Sequence, residues 1–181
     1  MRLFFALWPP REAAEALHAW ALRASGATGG RATRATAIHL TLAFLGEIEE
    51  RLVPQLRSLP AQGERHSLPI EQARHWARTR IVSAGPNETP APLQVLAQRL
   101  ASQLAERNFT TETRPFAAHA TLIRKARRPG ELPDLPRVDW PVREYVLVSS
   151  RLSAEGPRYD VLERYRLGSR RGKPEILLLQ Q

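Results

Sequence analysis

Cysteine is absent from the 181-residue chain. That removes disulfide frameworks, thiolate nucleophiles and cysteine-ligated metals from consideration. With no disulfide to call for an oxidising compartment, the cytoplasm is the simplest expected location. Lysine is almost missing: Lys125 and Lys173 are the only two, and every other basic side chain is arginine. No apolar run approaches the ~20 residues that a membrane-spanning helix needs, so no membrane segment is expected. The opening MRLFFALWPPREAAEALHAW carries one positive charge and a short apolar run. Pro9 and Pro10 cut that run, and no small-residue cleavage site follows, so it reads as a buried strand entering a helix rather than a secretory leader.

Acidic residues are outnumbered. The chain has 27 basic and 18 acidic residues and a net charge of +9, which favours a polyanionic partner such as nucleic acid. The excess is uneven: residues 1–90 carry a net +3 and residues 91–181 a net +6, so the C-terminal half is the more anion-facing one. A chain of this length is expected to form one domain, or two small lobes sharing a core.

Residues 2–9 form an aromatic and apolar run stopped by proline, a strand signature. Residues 11–25 place Ala14, Leu17, Trp20, Ala21 and Leu22 near helical spacing, with Gly26 and Gly29-Gly30 beyond. Residues 37–45 read as a strand ended by Gly46. A helical pattern starts near Glu49, with Pro54 acceptable only in the first turn. Residues 66–77 and 80–85 read as paired strands. Residues 89–108 are the clearest helix, with Leu93, Leu96, Leu100 and Leu104 on one face. Residues 116–126 read as a strand, 127–137 as a proline-rich loop, and 144–153 with 158–167 as a hairpin. The "ILLL" of the tail could add a strand. Interleaved helices, strands and hairpins predict an α+β fold.

Two of the strands carry the same tetrad. His39-Leu40-Thr41-Leu42 recurs as His119-Ala120-Thr121-Leu122, each following a strand and a helix, which suggests a duplicated unit. Alternate strand residues share a face, so each His points with its Thr and away from its Leu. Two such strands side by side would converge two imidazoles and two hydroxyls. That set suits phosphoryl chemistry: a neutral imidazole takes a proton from water, an imidazolium gives one to a leaving oxygen, and hydroxyls donate to phosphate oxygens. On this reading the two histidines are interchangeable. Arg124, three residues after Thr121, falls on the opposite face of a regular strand and needs a bulge to join them. Two histidines, with no acidic residue at matching spacing, fall short of the usual zinc ligand set, so no metal is expected. His18, His66 and His75 read as structural or exposed. Phe44 and Phe116 flank the motifs and could stack on bases or pack in the core. The basic run from Arg124 to Gly130 could meet an RNA backbone or remain solvated.

Taken with their contexts, "HLTLAFLGE" and "RPFAAHATLIR", the two motifs resemble those of the 2H phosphoesterase superfamily. Within it the chain is similar to the RNA 2′,3′-cyclic phosphodiesterases, or 2′-5′ RNA ligase-like proteins. "MRLFFALWPP" and "SSRLSAEGPRYDVLERYRL" extend the resemblance across residues 1–167. It implies an α+β bilobal fold spanning the chain as a single domain. Two pseudo-symmetric lobes of antiparallel sheet, with helices outside, would each give one His-x-Thr strand to a central cleft. It implies metal- and cofactor-free hydrolysis of a 2′,3′-cyclic phosphate, on RNA or a nucleotide, to a 2′-phosphate. His39 would protonate the departing 3′ oxygen, His119 would activate water, and Thr41, Thr121 and Arg124 would hold phosphate. Reverse 2′-5′ ligation would be secondary. Ala118 stands where proline commonly precedes the second histidine, and residues 168–181 have no counterpart. A monomer is expected. Two other functions compete: a 2H enzyme for another small cyclic or 2′-5′-linked nucleotide, and a non-catalytic RNA-binding module.

Overall fold

A computed structural model describes residues 1–169 except 113, 129, 130 and 155. The expected tail strand, and part of the basic run ending at Gly130, lie outside the described residues. Among the described residues ten strands and three α-helices follow one another as β1 (Arg2–Leu7), α1 (Arg11–Thr28), β2 (Arg31–Ala32), β3 (Leu40–Glu47), α2 (Val53–Arg57), β4 (His66–Ile70), β5 (Gln72–Trp76), β6 (Ile81–Gly85), α3 (Ala91–Glu106), β7 (Ala120–Arg124), β8 (Val138–Val142), β9 (Glu144–Ser153) and β10 (Gly156–Arg166). The fold is α+β. All the strand pairings of the main sheet are antiparallel, in the order β10-β9-β1-β3-β7-β6-β5, with β2 also on β7. The unit strand–helix–His-x-Thr strand therefore occurs twice, as β1-α1-β3 and β6-α3-β7. The two units meet at the centre of the sheet, where β3 lies beside β7.

The core explains the apolar text. α1 buries Leu17, Trp20, Ala21 and Ala24, and α3 buries Leu93, Leu96, Leu100 and Leu104, all in the main core against the sheet. β1 is buried on both faces, so it reads as a continuous apolar run rather than an alternation. Leu3, Phe5 and Leu7 enter the main core, whereas Phe4 and Ala6 join Val146 and Val148 in a smaller cluster on the other face.

Three sequence expectations are corrected. α1 does not stop at Ser25: Ala24 and Thr28 continue its buried face, Gly26 meets only open space, and Gly29 (φ 64°) caps the end by donating to the Ser25 carbonyl. The helix expected from Glu49 is a 3₁₀ turn (Glu50–Leu52) followed by the five-residue α2. Residues 66–77 split: β5 makes the expected hairpin with β6, but β4 leaves to pair with β8 in a separate two-stranded sheet. β8 escapes a sequence reading because Pro141 argues against a strand. In a two-stranded ribbon each strand is an edge, and proline is tolerated there.

Candidate active site

The register between β3 and β7 brings the tetrads together. Leu40 pairs with Ala120 across the antiparallel seam, and both are fully buried. Extending this register by one residue sets His39 opposite Thr121 and Thr41 opposite His119. The pleat then turns all four away from the core. The same His39, Thr41, His119 and Thr121 line one cavity of about 440 Å³, together with Arg31, Arg34, Arg124 and Tyr159.

The leucine of each tetrad has a separate task. Along β1, Ala6 pairs with Thr41 and Phe5 with Ala43, so Leu42 is an extra residue. Along β6, Ser83 pairs with Thr121 and Val82 with Ile123, so Leu122 is the matching extra residue. Each is a β-bulge immediately after the threonine, and it reverses the facing of the residues C-terminal to it. Leu122 and Ile123 are consecutively buried, and Arg124 emerges on the cavity side. The bulge that Arg124 requires is present. Its counterpart in the first motif is Phe44, which packs in the small Phe4–Val146 cluster with the Arg2 guanidinium 5.0 Å from its ring centroid.

Neither predicted stacking residue lines the cavity. Phe116 is partly buried against the main core, and Phe44 is held by its cluster and Arg2. The aromatic side chain that lines the cavity is instead Tyr159, and Trp8 stands against His39 without lining it. The Trp8 indole stacks on the His39 imidazole at 4.9 Å and 16°, Phe4 lies 5.0 Å away, and Tyr159 meets it edge-on at 5.1 Å. The alternation Phe4, Ala6, Trp8 carried this signal, since it continues one strand face past Leu7. Tyr159 lies in the expected hairpin, but its proximity to His39 depends on β9 bringing β10 up to β1.

Both imidazoles are held alike. His39 Nδ1 lies 2.9 Å from the Ala37 carbonyl, and His119 Nδ1 lies 2.8 Å from the Ala117 carbonyl. A carbonyl only accepts, so each Nδ1 carries a proton and donates it. Each Nε2 is therefore the exchanging nitrogen: an acceptor when the ring is neutral and a donor when it is charged. The Ala37 carbonyl is set by a 3₁₀ turn over Ala35–Ala37, which shortens the expected strand at 37–45 so that His39 stands just before β3. His119 likewise stands just before β7.

Their surroundings differ. His39 is half-buried under three aromatic rings, whereas His119 is exposed. Burial pushes the His39 imidazole below its ordinary value; the Ala37 hydrogen bond opposes this, and the Arg124 guanidinium adds to it. Burial also pushes the Tyr159 phenol up, with Arg124 and Arg2 acting the other way. Among the described residues no group of three or more His, Asp or Glu is arranged to hold a metal ion.

A family model described as LigT like Phosphoesterase matches residues 7–83, which include the first tetrad. The chain is 34% identical over 170 residues to the RNA 2′,3′-cyclic phosphodiesterase of Escherichia coli (strain K12), covering 92% of this chain and 96% of that one. It is also 34% identical over 192 residues to a protein of the same name from Thermus thermophilus, covering 97% and 94%. The crystal structure of E. coli LigT complexed with 3′-AMP superimposes with a TM-score of 0.83 at 32% identity, over 92% of this chain and 97% of that one.

Proposed function

Because the chain belongs to the RNA 2′,3′-cyclic phosphodiesterase family of LigT-like 2H phosphoesterases, we propose that it hydrolyses 2′,3′-cyclic phosphate ends of RNA to 2′-phosphates. The observation that carries this reading is the convergence of both His-x-Thr pairs and Arg124 on one cavity, each imidazole presenting Nε2.

The water-exposed His119 is the general base. Its neutral Nε2 accepts a proton from water as the water oxygen bonds to phosphorus. The bond from phosphorus to O3′ breaks, and His39 as imidazolium delivers its Nε2 proton to the departing O3′. The product holds a 2′-phosphomonoester and a free 3′-hydroxyl. The histidines have exchanged protonation states and reset through solvent. Enclosure of His39 by Phe4, Trp8 and Tyr159 supports its role as acid: it keeps bulk water off the leaving oxygen, and the burial that lowers the imidazole's pKa makes the imidazolium a stronger proton donor to O3′. Thr41, Thr121 and Arg124 hold the non-bridging oxygens, where donors aimed at phosphate charge lower the barrier.

The reading also takes the protein as a cytoplasmic monomer, with joining of the cyclic end to a 5′-hydroxyl as a minor reverse reaction. Its test is incubation in EDTA with 2′,3′-cyclic AMP and with a short RNA ending in a 2′,3′-cyclic phosphate, the products being separated by chromatography. The expected product is a 2′-phosphate. A 3′-phosphate, or turnover that EDTA abolishes and zinc restores, would refute this mechanism.

A further inference from the structure

A second, larger cavity of about 870 Å³ opens beside the first, and the two share Arg34, Ala37, Pro157 and Tyr159 as a common rim. The smaller cavity already falls within the range of roughly 300–1,000 Å³ that takes one small ligand. A mononucleotide has no need of the larger one. The larger cavity's lining is basic. It holds Arg34, Arg143, Arg158 and Arg164 against Glu144 and Asp160. Glu144 is taken by Arg164 at 2.6 Å, and Asp160 by Arg151, which lies outside the lining, at 2.7 Å. Arg34 and Arg143 are exposed and form no ion pair among the described residues. The lining also includes Trp8, the ring stacked on His39, and Tyr159, the ring at the shared rim. Unpaired guanidinium groups beside aromatic faces are what a single RNA strand needs: charge for its phosphates and a platform for its bases.

We propose that this larger cavity is the binding groove for the RNA strand leading into the site, so that the enzyme acts on oligonucleotide ends in preference to cyclic mononucleotides. The proposal rests on the hydrolytic reading above. The terminal cyclic phosphate occupies the His-x-Thr cavity, the strand crosses the rim between Arg34 and Tyr159, and the preceding phosphates lie along Arg143.

The test compares kcat/KM for 2′,3′-cyclic AMP and for a short single-stranded RNA with a 2′,3′-cyclic phosphate end. It uses the wild-type protein, Arg143→Glu in the groove, and Arg74→Glu as a matched charge reversal. Arg74 lies on β5, at the far edge of the same sheet and outside both cavities. One stacked base and a phosphate contact are expected to give wild type at least about a tenfold preference for the RNA. Arg143→Glu should remove most of that preference, leave cyclic AMP turnover unchanged, and lower the slope of log(kcat/KM) against log[salt] by about one. Equal wild-type efficiency on both substrates would overturn the groove, as would equal losses in the two variants. If neither substrate turned over, the hydrolytic reading would fail on its own. The groove would then be judged by fluorescence anisotropy with a 3′-phosphorylated RNA, which Arg143→Glu must weaken and Arg74→Glu must not.

Discussion

At the scale of single residues, two histidines with the same backbone hydrogen bond lie in different surroundings, and the proposed mechanism gives them different work. His39 sits under aromatic rings, and burial lowers its pKa in the free protein. The proposed acid must be protonated, so kcat/KM, which reports the free enzyme, should fall as pH rises through a value below the ordinary histidine pKa of about 6.5. In kcat the same limb should move to higher pH, because the bound phosphate anion favours the imidazolium. A pH–rate profile of both parameters checks this. Persistence of that limb in His39→Ala would remove His39 from the assignment. His39→Ala and His119→Ala should each lower kcat by at least about 100-fold, the usual scale for losing a positioned acid or base. Full turnover in either variant would remove that histidine from the mechanism. Alternation within a strand was enough to pair His39 with Thr41 and His119 with Thr121. The alternation Phe4, Ala6, Trp8 put Trp8 on a shared strand face, but the proximity of Trp8 and Tyr159 to His39 was not legible, because long-range strand pairing puts them there.

At the scale of elements, the tetrads' leucines serve as bulge residues, and each bulge re-aims the side chains beyond it, Arg124 in one strand and Phe44 in the other. The sequence showed that Arg124 needed such a device, but bulges depend on the register against neighbouring strands, which periodicity alone does not specify. The helices were legible because their buried faces repeat at helical spacing. β8 was not, because its proline is acceptable only once its sole partner is known. The glycines separate packing from propensity. A Cβ on Gly85, at the end of β6, would run into the Ala118 carbonyl, next to the catalytic His119 of this proposal. Gly85→Ala should therefore cost about 1–3 kcal/mol in denaturant unfolding and lower activity as the segment before β7 shifts. Gly26→Ala meets open space within α1. It should stabilise the protein by up to about 1 kcal/mol, the ordinary helix-propensity difference, with activity unchanged. If both variants behaved alike in melts, the close approach at Gly85 would not be limiting.

At the scale of the molecule, the candidate site lies on the seam between β1-α1-β3 and β6-α3-β7, two units with the same order of elements. β3 and β7 share one paired position, Leu40 with Ala120, whereas β1–β3 and β6–β7 are paired along their lengths. The seam is thus the sparsest ladder in the middle of the sheet, and the cavity opens over it. A phosphate held by Thr41 from one unit and by Thr121 and Arg124 from the other would bridge that seam. It would bind the folded state and not the unfolded chain, and so stabilise by mass action: about 2.7 kcal/mol at one hundred times its Kd. A 2′-phosphorylated nucleotide should accordingly raise Tm, and it should slow amide exchange at the N-terminal ends of both β3 and β7 together. Thr41→Ala and Thr121→Ala should each weaken both effects, because either substitution removes one side of the bridge. Protection confined to one strand would mean that the phosphate is held by one unit alone. The two motifs would then be neighbours without being a shared site.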